Sequence, residues 1–533
     1  MKIKLLIQCT LFITAIIAFV VFVTTPVLAT QDDTFIQYVL SSGFTQTTIH
    51  VSYFEYGFLA YEKIFAWLYN IIPHFNWLTF FYMVLHGVSA VVISYLLAVQ
   101  KKYFFIAGYI ILFFVPLIMN LSYTTTAAHA MVAGFIVCVS IIQKQQVPSY
   151  YSILLLGGWF ITTLLLRIHI VFPLVFIFLP FIFLIRKSLI VKRFFILLIL
   201  VAVVIMNAFI MHEKYYLKVI PHWQNIKATT TAFYQLANKG YDVNKIKEVN
   251  DNEQRSNFNM IKNRFLYADV LLNAETLTCM QQAAKYQNKW RDFNGESLYY
   301  LLTDIKQYLL ALAVMIILLF TGNTQKKHRN VFLISAGIAI LISLYLLIFM
   351  RFPERVWSGF FLLLYLLAAM ILSPAKNLKL SKLQSSVVKI CVAATFIIQC
   401  VYFFNLVCYN SKQSDQFECA ASFVESHPDT LFVEYGEQFP FNHFPAFVSP
   451  ARYPLGNVLF PFYFNTELRD NLLEKFGIHN LNEAIISSRN IILIGEPDEE
   501  LKQYLELNLQ KKISFEKIIA PSACMNLFTV TTE

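Results

Sequence analysis

The chain has 533 residues, of which 57% are hydrophobic, 16% aromatic and 14% charged, and its mean hydropathy is +0.57. Soluble domains run nearer half apolar and a quarter charged, so this composition excludes an ordinary soluble globule and points to an α-helical multi-pass membrane protein. A net charge of +10 would ordinarily suggest nucleic acid as partner; here the basic residues sort by position along the chain, as membrane topology demands, and no nucleic-acid partner is expected.

Lys2 and Lys4 precede an apolar run over 5–29, which predicts a cytoplasmic N-terminus. Val27-Leu28-Ala29 resembles a signal-peptidase site, but the apolar core is long for a signal peptide, and the run reads as an uncleaved anchor. Either way Thr30-Gln31-Asp32-Asp33 emerges outside. Residues 30–75 follow as an outer loop. In it Phe54, Phe58, Tyr61, Phe65, Leu68 and Tyr69 recur at helical spacing, which predicts an amphipathic helix lying on the membrane surface.

Further spans are expected over 76–99, 103–119 and up to 142, the last two separated by a short outer turn at 120–126. Residues 150–185 are too long for one crossing of about 20 residues. Arg167-Ile168-His169 sits at their midpoint, so two spans joined by a tight outer turn are expected there. One long tilted helix is the alternative, and it would invert everything after it. The remaining spans fall at 194–211, 305–321, 331–350, 356–372 and 390–408, with a large outer loop at 212–303. The result is eleven spans, N-terminus inside and C-terminus outside, forming a membrane domain over 1–408. An extracytoplasmic domain over 409–533 follows.

Charge supports this arrangement independently. Sixteen Lys and Arg fall in the inner segments, against four in the short outer turns: Lys63, Arg167, Arg351 and Arg355. No Asp or Glu falls in an inner segment, and none occurs between Glu62 and Glu213. In the C-terminal domain, 430–435 and 490–495 read as strands, 418–426 and 498–507 as helices, which predicts a small α/β domain. None of the eight cysteines forms a CxxC pair, against a zinc or thioredoxin-type site. Cys419 and Cys524, in an oxidising compartment, either pair or stay as two buried thiols. There is no internal repeat and no low-complexity linker.

Asp32 and Asp33 are the candidate catalytic residues. One carboxylate can take the proton of an acceptor hydroxyl, while the other holds that group in register or helps bind a divalent cation such as Mg or Mn. The alternative is a solvated acidic pair in a loop. Arg167, Arg351 and Arg355 lie at outer membrane boundaries, where a lipid-linked phosphate sits. Guanidinium offers a planar, permanently charged fork for that group. The alternative for these arginines is snorkelling to headgroups or, for Arg355, pairing with Glu354. His169 beside Arg167, with His50 and Glu55 after the acidic pair, completes the substrate-binding set; the alternative for the last two, a surface His and a helix-face Glu, is the reading their residue types favour. His129, early in the fourth span, reads as hydrogen-bonded within the bundle.

An acidic pair in the first outer loop, a surface helix in that loop and a soluble C-terminal domain together resemble the GT-C superfamily of polytopic glycosyltransferases. Asp32-Asp33 with Leu40-Ser41-Ser42-Gly43-Phe44, Leu165-Leu166-Arg167 and Arg351-Phe352-Pro353-Glu354-Arg355 are similar to stretches in poorly characterised bacterial proteins of that type. Asn250-Asp251 with 265–269 forms a fourth such stretch. The resemblance implies a polyprenyl-phosphate sugar donor, a glycan, lipid or protein acceptor, and a site at the outer face of the plasma membrane among its lipids. Ser42 has no catalytic meaning in this comparison. The rivals are a polysaccharide polymerase, which would rely on loop arginines, and a lipid-linked-sugar flippase or transporter, for which repeated halves and mid-membrane acids are missing. A non-enzymatic envelope protein is the third rival.

Overall fold

The computed structural model of the chain describes residues 2–41, 59–219, 223–224, 227, 252–263, 265, 295–321, 324–349, 353–372, 381–436, 438–461, 467–488, 490–518 and 524–532. Among these, a helical bundle carries a small mixed sheet at its C-terminal end. The helices that matter here are α1 (Lys2–Val23), α2 (Gln31–Leu40), α3 (Leu59–Ile71), α4 (Trp77–Val99), α5 (Tyr103–Met119), α6 (Tyr123–Lys144), α7 (Tyr150–Leu166), α8 (Ile168–Leu184) and α9 (Ser188–Val219). They continue with α10 (Asn252–Lys262), α11 (Gly295–Thr321), α12 (Lys326–Phe349), α13 (Glu354–Ile371) and α14 (Lys382–Glu425).

Among the described residues, α1, α4, α6, α9, α12, α13 and α14 are each long and apolar enough to cross a membrane, and α5, α7, α8 and Ile305–Thr321 are shorter apolar helices. These helices fall on the segments that hydropathy marks, and the chain is a multi-pass membrane protein. The centre of the bundle is α6, buried along nearly its whole length and packed by α4, α7, α8 and α13. A helix apolar on every side belongs at such a centre.

Hydrogen bonds sort the helix ends into two groups. Lys102 Nζ donates to the Ala369 and Met370 carbonyls at 2.6 and 2.7 Å, and Gln143 Nε2 to Met370 at 2.9 Å. Gln145 donates to the Leu184 carbonyl and accepts from the Arg186 amide. The end of α8 therefore returns to the end of α6, close to where α7 begins. Its other end, at Arg167, lies against Tyr123 at the opposite end of α6. So 150–185 is a hairpin, as its length requires, with the turn at Arg167, an extended residue (φ −161°, ψ 91°). One end of the bundle gathers Lys101, Lys102, Lys144 and Arg186; the other carries Asp32, Asp33 and Arg355.

In α5, Ile110–Phe114 form a π-helical turn. Gln399 of α14 donates to the Ile111 carbonyl there at 3.0 Å, a side chain restoring a bond at a helix irregularity inside apolar surroundings.

The helix α14 runs 44 residues, about 66 Å at 1.5 Å per residue, passing without a break from the bundle into the C-terminal sheet domain. That sheet orders β4-β3-β5-β7-β6: β3 (Leu431–Glu434) is parallel to β4 (Val458–Leu459) and β5 (Ile491–Ile494), while β7 (Leu527–Thr532) is antiparallel to β5 and to β6 (Ile513–Ile518). β3 is buried on both faces, as a continuous apolar strand flanked by parallel neighbours should be. β3, β5 and the two helices lie where the sequence pattern puts them; β4, β6 and β7 carry no signal strong enough to read. Cys419 on α14 and Cys524 before β7 form a disulfide, with Cα atoms 6.0 Å apart, which decides between the two alternatives for those cysteines.

Candidate functional site

The site is built where α1 leaves the bundle. The chain passes through β1 (Val27–Leu28), paired in parallel with β2 (Asn120–Leu121) just before α6. Val27 and Leu28 are fully buried, and Leu28 N–H donates to the Phe444 carbonyl at 2.9 Å. The triplet that resembles a cleavage site is thus enclosed between the bundle and the C-terminal domain.

The sequence reading treats the acidic pair as part of a loop. The structure places it in the first turn of α2. Thr30 is the N-cap, its Oγ1 accepting from the Asp33 amide at 3.2 Å, and two carboxylates next to a helix N-terminus meet the favourable end of the macrodipole. A Thr followed at three residues by an acid was the local signal for this helix.

The two carboxylates sit in different surroundings. Asp33 is fully buried. Its Oδ2 accepts from the Thr30 hydroxyl at 2.5 Å; its Oδ1 accepts from the Tyr123 amide at 2.8 Å and the Tyr82 hydroxyl at 3.3 Å. The Tyr123 amide belongs to the first turn of α6, one of the donors a helix leaves without an internal partner. Asp33 thereby closes the N-termini of two helices. Burial pushes its carboxyl up to about 7; the Thr30 and Tyr123 hydrogen bonds and the charge of Arg355 pull it down, and Asp32 adds to the rise. Asp32 is half-buried and accepts from the Tyr123 hydroxyl at 3.3 Å.

Two arginines complete the cluster. The Arg167 guanidinium lies over the Tyr123 ring, 4.8 Å from its centroid. Arg355, in the first turn of α13, is close enough for its charge to act on both Asp33 and Tyr123. Residues 32–33 and 167 therefore meet around Tyr123 at one end of the bundle, and Arg355, from a third stretch, lies near enough for its charge to reach them. His169 is exposed beside Arg167. His50, Glu55 and Arg351 lie outside the described residues, as do Phe54, Phe58, 42–44, 250–251 and 266–269. His129 is hydrogen-bonded within the bundle, to Tyr109 and His86.

Among the described residues no group of three His, Cys, Asp or Glu forms a metal set. Both oxygens of Asp33 already accept hydrogen bonds. Among the described residues, those around the pair therefore offer Mg or Mn one half-exposed carboxylate, Asp32, and the chemistry is derived from the side chains. Sequence reasoning missed Thr30, Tyr82 and Tyr123. Tyr123 carried one usable signal: it opens an apolar helix directly after a Ser N-cap.

The C-terminal domain reaches this place too. Asn442 Oδ1 accepts from the Gln31 amide at 2.9 Å, the Tyr38 hydroxyl donates to the Tyr453 carbonyl at 3.0 Å, and Ala446 N–H donates to the Pro26 carbonyl at 2.9 Å. Asn76, the N-cap of α4, donates to the Ala446 carbonyl at 2.5 Å. Residues 442–453 therefore brace both α2 and the start of α4.

No family model and no curated protein matches the chain. Among solved structures, the chain is similar to the crystal structure of ArnT from Cupriavidus metallidurans bound to undecaprenyl phosphate. The identity is 12% over 98% of this chain and 97% of that one, with a TM-score of 0.34. A likeness of that degree assigns neither a family nor a site.

Proposed function

We propose that the chain is a membrane glycosyltransferase that moves a sugar from a polyprenyl-phosphate donor to a glycan, lipid or protein acceptor at the outer face. The observation that carries this reading is the meeting of a half-buried carboxylate, Asp32, with the guanidinium groups of Arg167 and Arg355 around Tyr123. Of the two acids, Asp32 is the one with access to a substrate, and it takes the proton from the acceptor hydroxyl. That oxygen then bonds to the sugar's anomeric carbon as the bond to phosphate breaks. The phosphate leaves with the electron pair, and the two arginines meet the charge that develops on it. Asp33 is the anchor that fixes α2 against α4 and α6. Arg351, His169, His50 and Glu55 remain candidates for binding the donor or acceptor.

Two facts support the orientation. Disulfides persist in oxidising compartments, so Cys419–Cys524 favours an extracytoplasmic C-terminal domain. The basic end of the bundle, with Lys101, Lys102, Lys144 and Arg186, suits the cytoplasmic side. A lipid-linked donor brings its own leaving group, so the reading needs no nucleotide-binding fold.

The test is transfer from a polyprenyl-phosphate sugar in proteoliposomes. Asp32→Asn should lower the rate by roughly 10²- to 10⁴-fold, the usual contribution of a positioned base, while the amount and melting of the protein stay unchanged. An unchanged rate would remove the base role from Asp32 and, with it, this reading.

A further inference from the structure

One turn beyond the acidic pair, four buried side chains from three helices are joined end to end. Tyr109 Oη lies 2.6 Å from His129 Nε2, His129 Nδ1 lies 2.8 Å from His86 Nδ1, and His86 Nε2 lies 3.0 Å from Thr126 Oγ1. All four side chains are wholly buried. Ionisable groups inside a membrane bundle are costly and call for a functional account.

The tautomers follow from the distances. A neutral imidazole has one N–H and one bare nitrogen. Two Nδ1 atoms at 2.8 Å share a single hydrogen, so one histidine is protonated on Nδ1 and the other on Nε2. That choice fixes the whole chain. Either every hydrogen points from Tyr109 toward Thr126, or every one points back. Both arrangements make all three bonds, and neither carries net charge.

The chain is in register with the acidic pair. His86 is one turn after Tyr82 on α4, and Thr126 is one turn after Tyr123 on α6. Those two tyrosines hold Asp33 and Asp32. We propose that Tyr109, His129, His86 and Thr126 are positioning residues for the acidic pair: an uncharged two-state wire whose hydrogens align toward Asp33 when that carboxyl is ionised and are free to reverse when it is protonated. Aligned N–H and O–H dipoles reinforce one another in a medium of low dielectric. The last of them ends on Thr126 Oγ1, one turn from the Tyr123 amide that donates to Asp33, so the wire acts on the carboxylate through the field of its dipoles rather than through a bond. In the aligned state His129 carries its hydrogen on Nδ1 and His86 on Nε2. The other titratable or charged groups on the elements packed around the wire include Tyr82, Tyr123, Asp32, Asp33, Arg167, His169, Glu354, Arg355, Tyr365, Cys138 of α6 and Cys9 of α1. The inference deepens the role given to the acidic pair, yet its geometry stands apart from any transfer reaction.

The experiment uses the full chain in lipid nanodiscs with ¹⁵N-labelled histidine. At pH 9 the spectrum should contain an Nδ1-protonated tautomer that disappears in His129→Gln, and an Nε2-protonated one that disappears in His86→Gln. If both histidines are protonated on Nε2, the wire is overturned. Infrared titration then follows the protonated carboxyl band that Asp33→Asn removes. In His129→Gln its midpoint should move up by about one pH unit, the scale of a lost hydrogen-bonding influence on a buried carboxylate. A midpoint that stays in place overturns the coupling. If His129→Gln fails to fold, Tyr109→Phe cuts the same chain at its far end and is read the same way. Neither measurement involves sugar transfer, so a failed wire and a failed glycosyltransferase reading give different results.

Discussion

Asp32 and Asp33 are neighbours in sequence and opposites in surroundings. Their adjacency to an apolar anchor makes the pair legible as a candidate site, but nothing local tells the two apart. The residues that do, Tyr82 and Tyr123, stand 49 and 90 positions from Asp33, and no periodicity links such distant points. The difference has a consequence for stability. Burial raises the Asp33 carboxyl to about 7, above its unfolded value of about 3.9. A group raised on folding contributes stability that is complete below its unfolded pKa and lost as pH climbs through the folded one. Thermal melting of the wild type should therefore fall between pH 5 and pH 8, and Asp33→Asn, which cannot ionise, should flatten that slope. Equal slopes in the two proteins would mean that Asp33 is solvated in the folded state. Arg355→Ala removes a charge from the rim and should lower kcat/KM roughly tenfold or more with little effect on folding, as read in the same transfer assay.

The helices illustrate which elements a sequence discloses. Long apolar runs set the spans, because hydrocarbon demands internally bonded backbone of fixed length. The hairpin at 150–185 was readable for the same reason, from length and a central arginine. The helix α2 was harder to read, since apart from the Thr30–Asp33 cap its ten residues of mixed polarity carry little hydrophobic signal, and it is held also by Asn442 and Tyr123, both distant in the chain. Close packing between elements is also invisible to hydropathy. Gly108 of α5 faces Tyr365 of α13, where a Cβ would come within 2.2 Å of the phenol oxygen. That oxygen is itself held at the Phe105 carbonyl, 3.2 Å away. Gly108→Ala therefore forces the two helices apart and should cost about 1–3 kcal/mol, the usual penalty for overfilling a packed interface. The loss should show as lower melting in detergent. Gly158, with no atom within 4 Å of its would-be Cβ, is the control, and Gly158→Ala should leave melting unchanged or slightly higher.

At the scale of the molecule, the continuous helix α14, the segment 442–453 that braces α2, and Asn263 after α10, which donates to the Tyr435 hydroxyl and to Glu500, join the rest of the chain to the C-terminal domain, while the Cys419–Cys524 bridge lies within that domain. The bridge closes a loop of 105 residues, for which the chain-entropy account gives about 4–5 kcal/mol as a ceiling. It acts on the fold of the sheet domain, whereas the brace acts on the acidic pair, so the two can be separated by experiment. Cys524→Ser should lower the melting of the domain and speed proteolysis near β7, with transfer at low temperature retained. Tyr38→Phe deletes the hydroxyl that reaches Tyr453, leaving a buried carbonyl short of a partner at about 1–3 kcal/mol, and Asn442→Ala uncovers the Gln31 amide. Both changes loosen α2 where Asp32 projects from its first turn, and the geometry of a base tolerates little displacement. Each should reduce transfer about tenfold or more while melting falls only slightly, and the two together should fall short of the sum, because both act through the same helix. Full transfer in the double variant would show that α2 is held by the bundle alone and that the sheet domain serves another purpose.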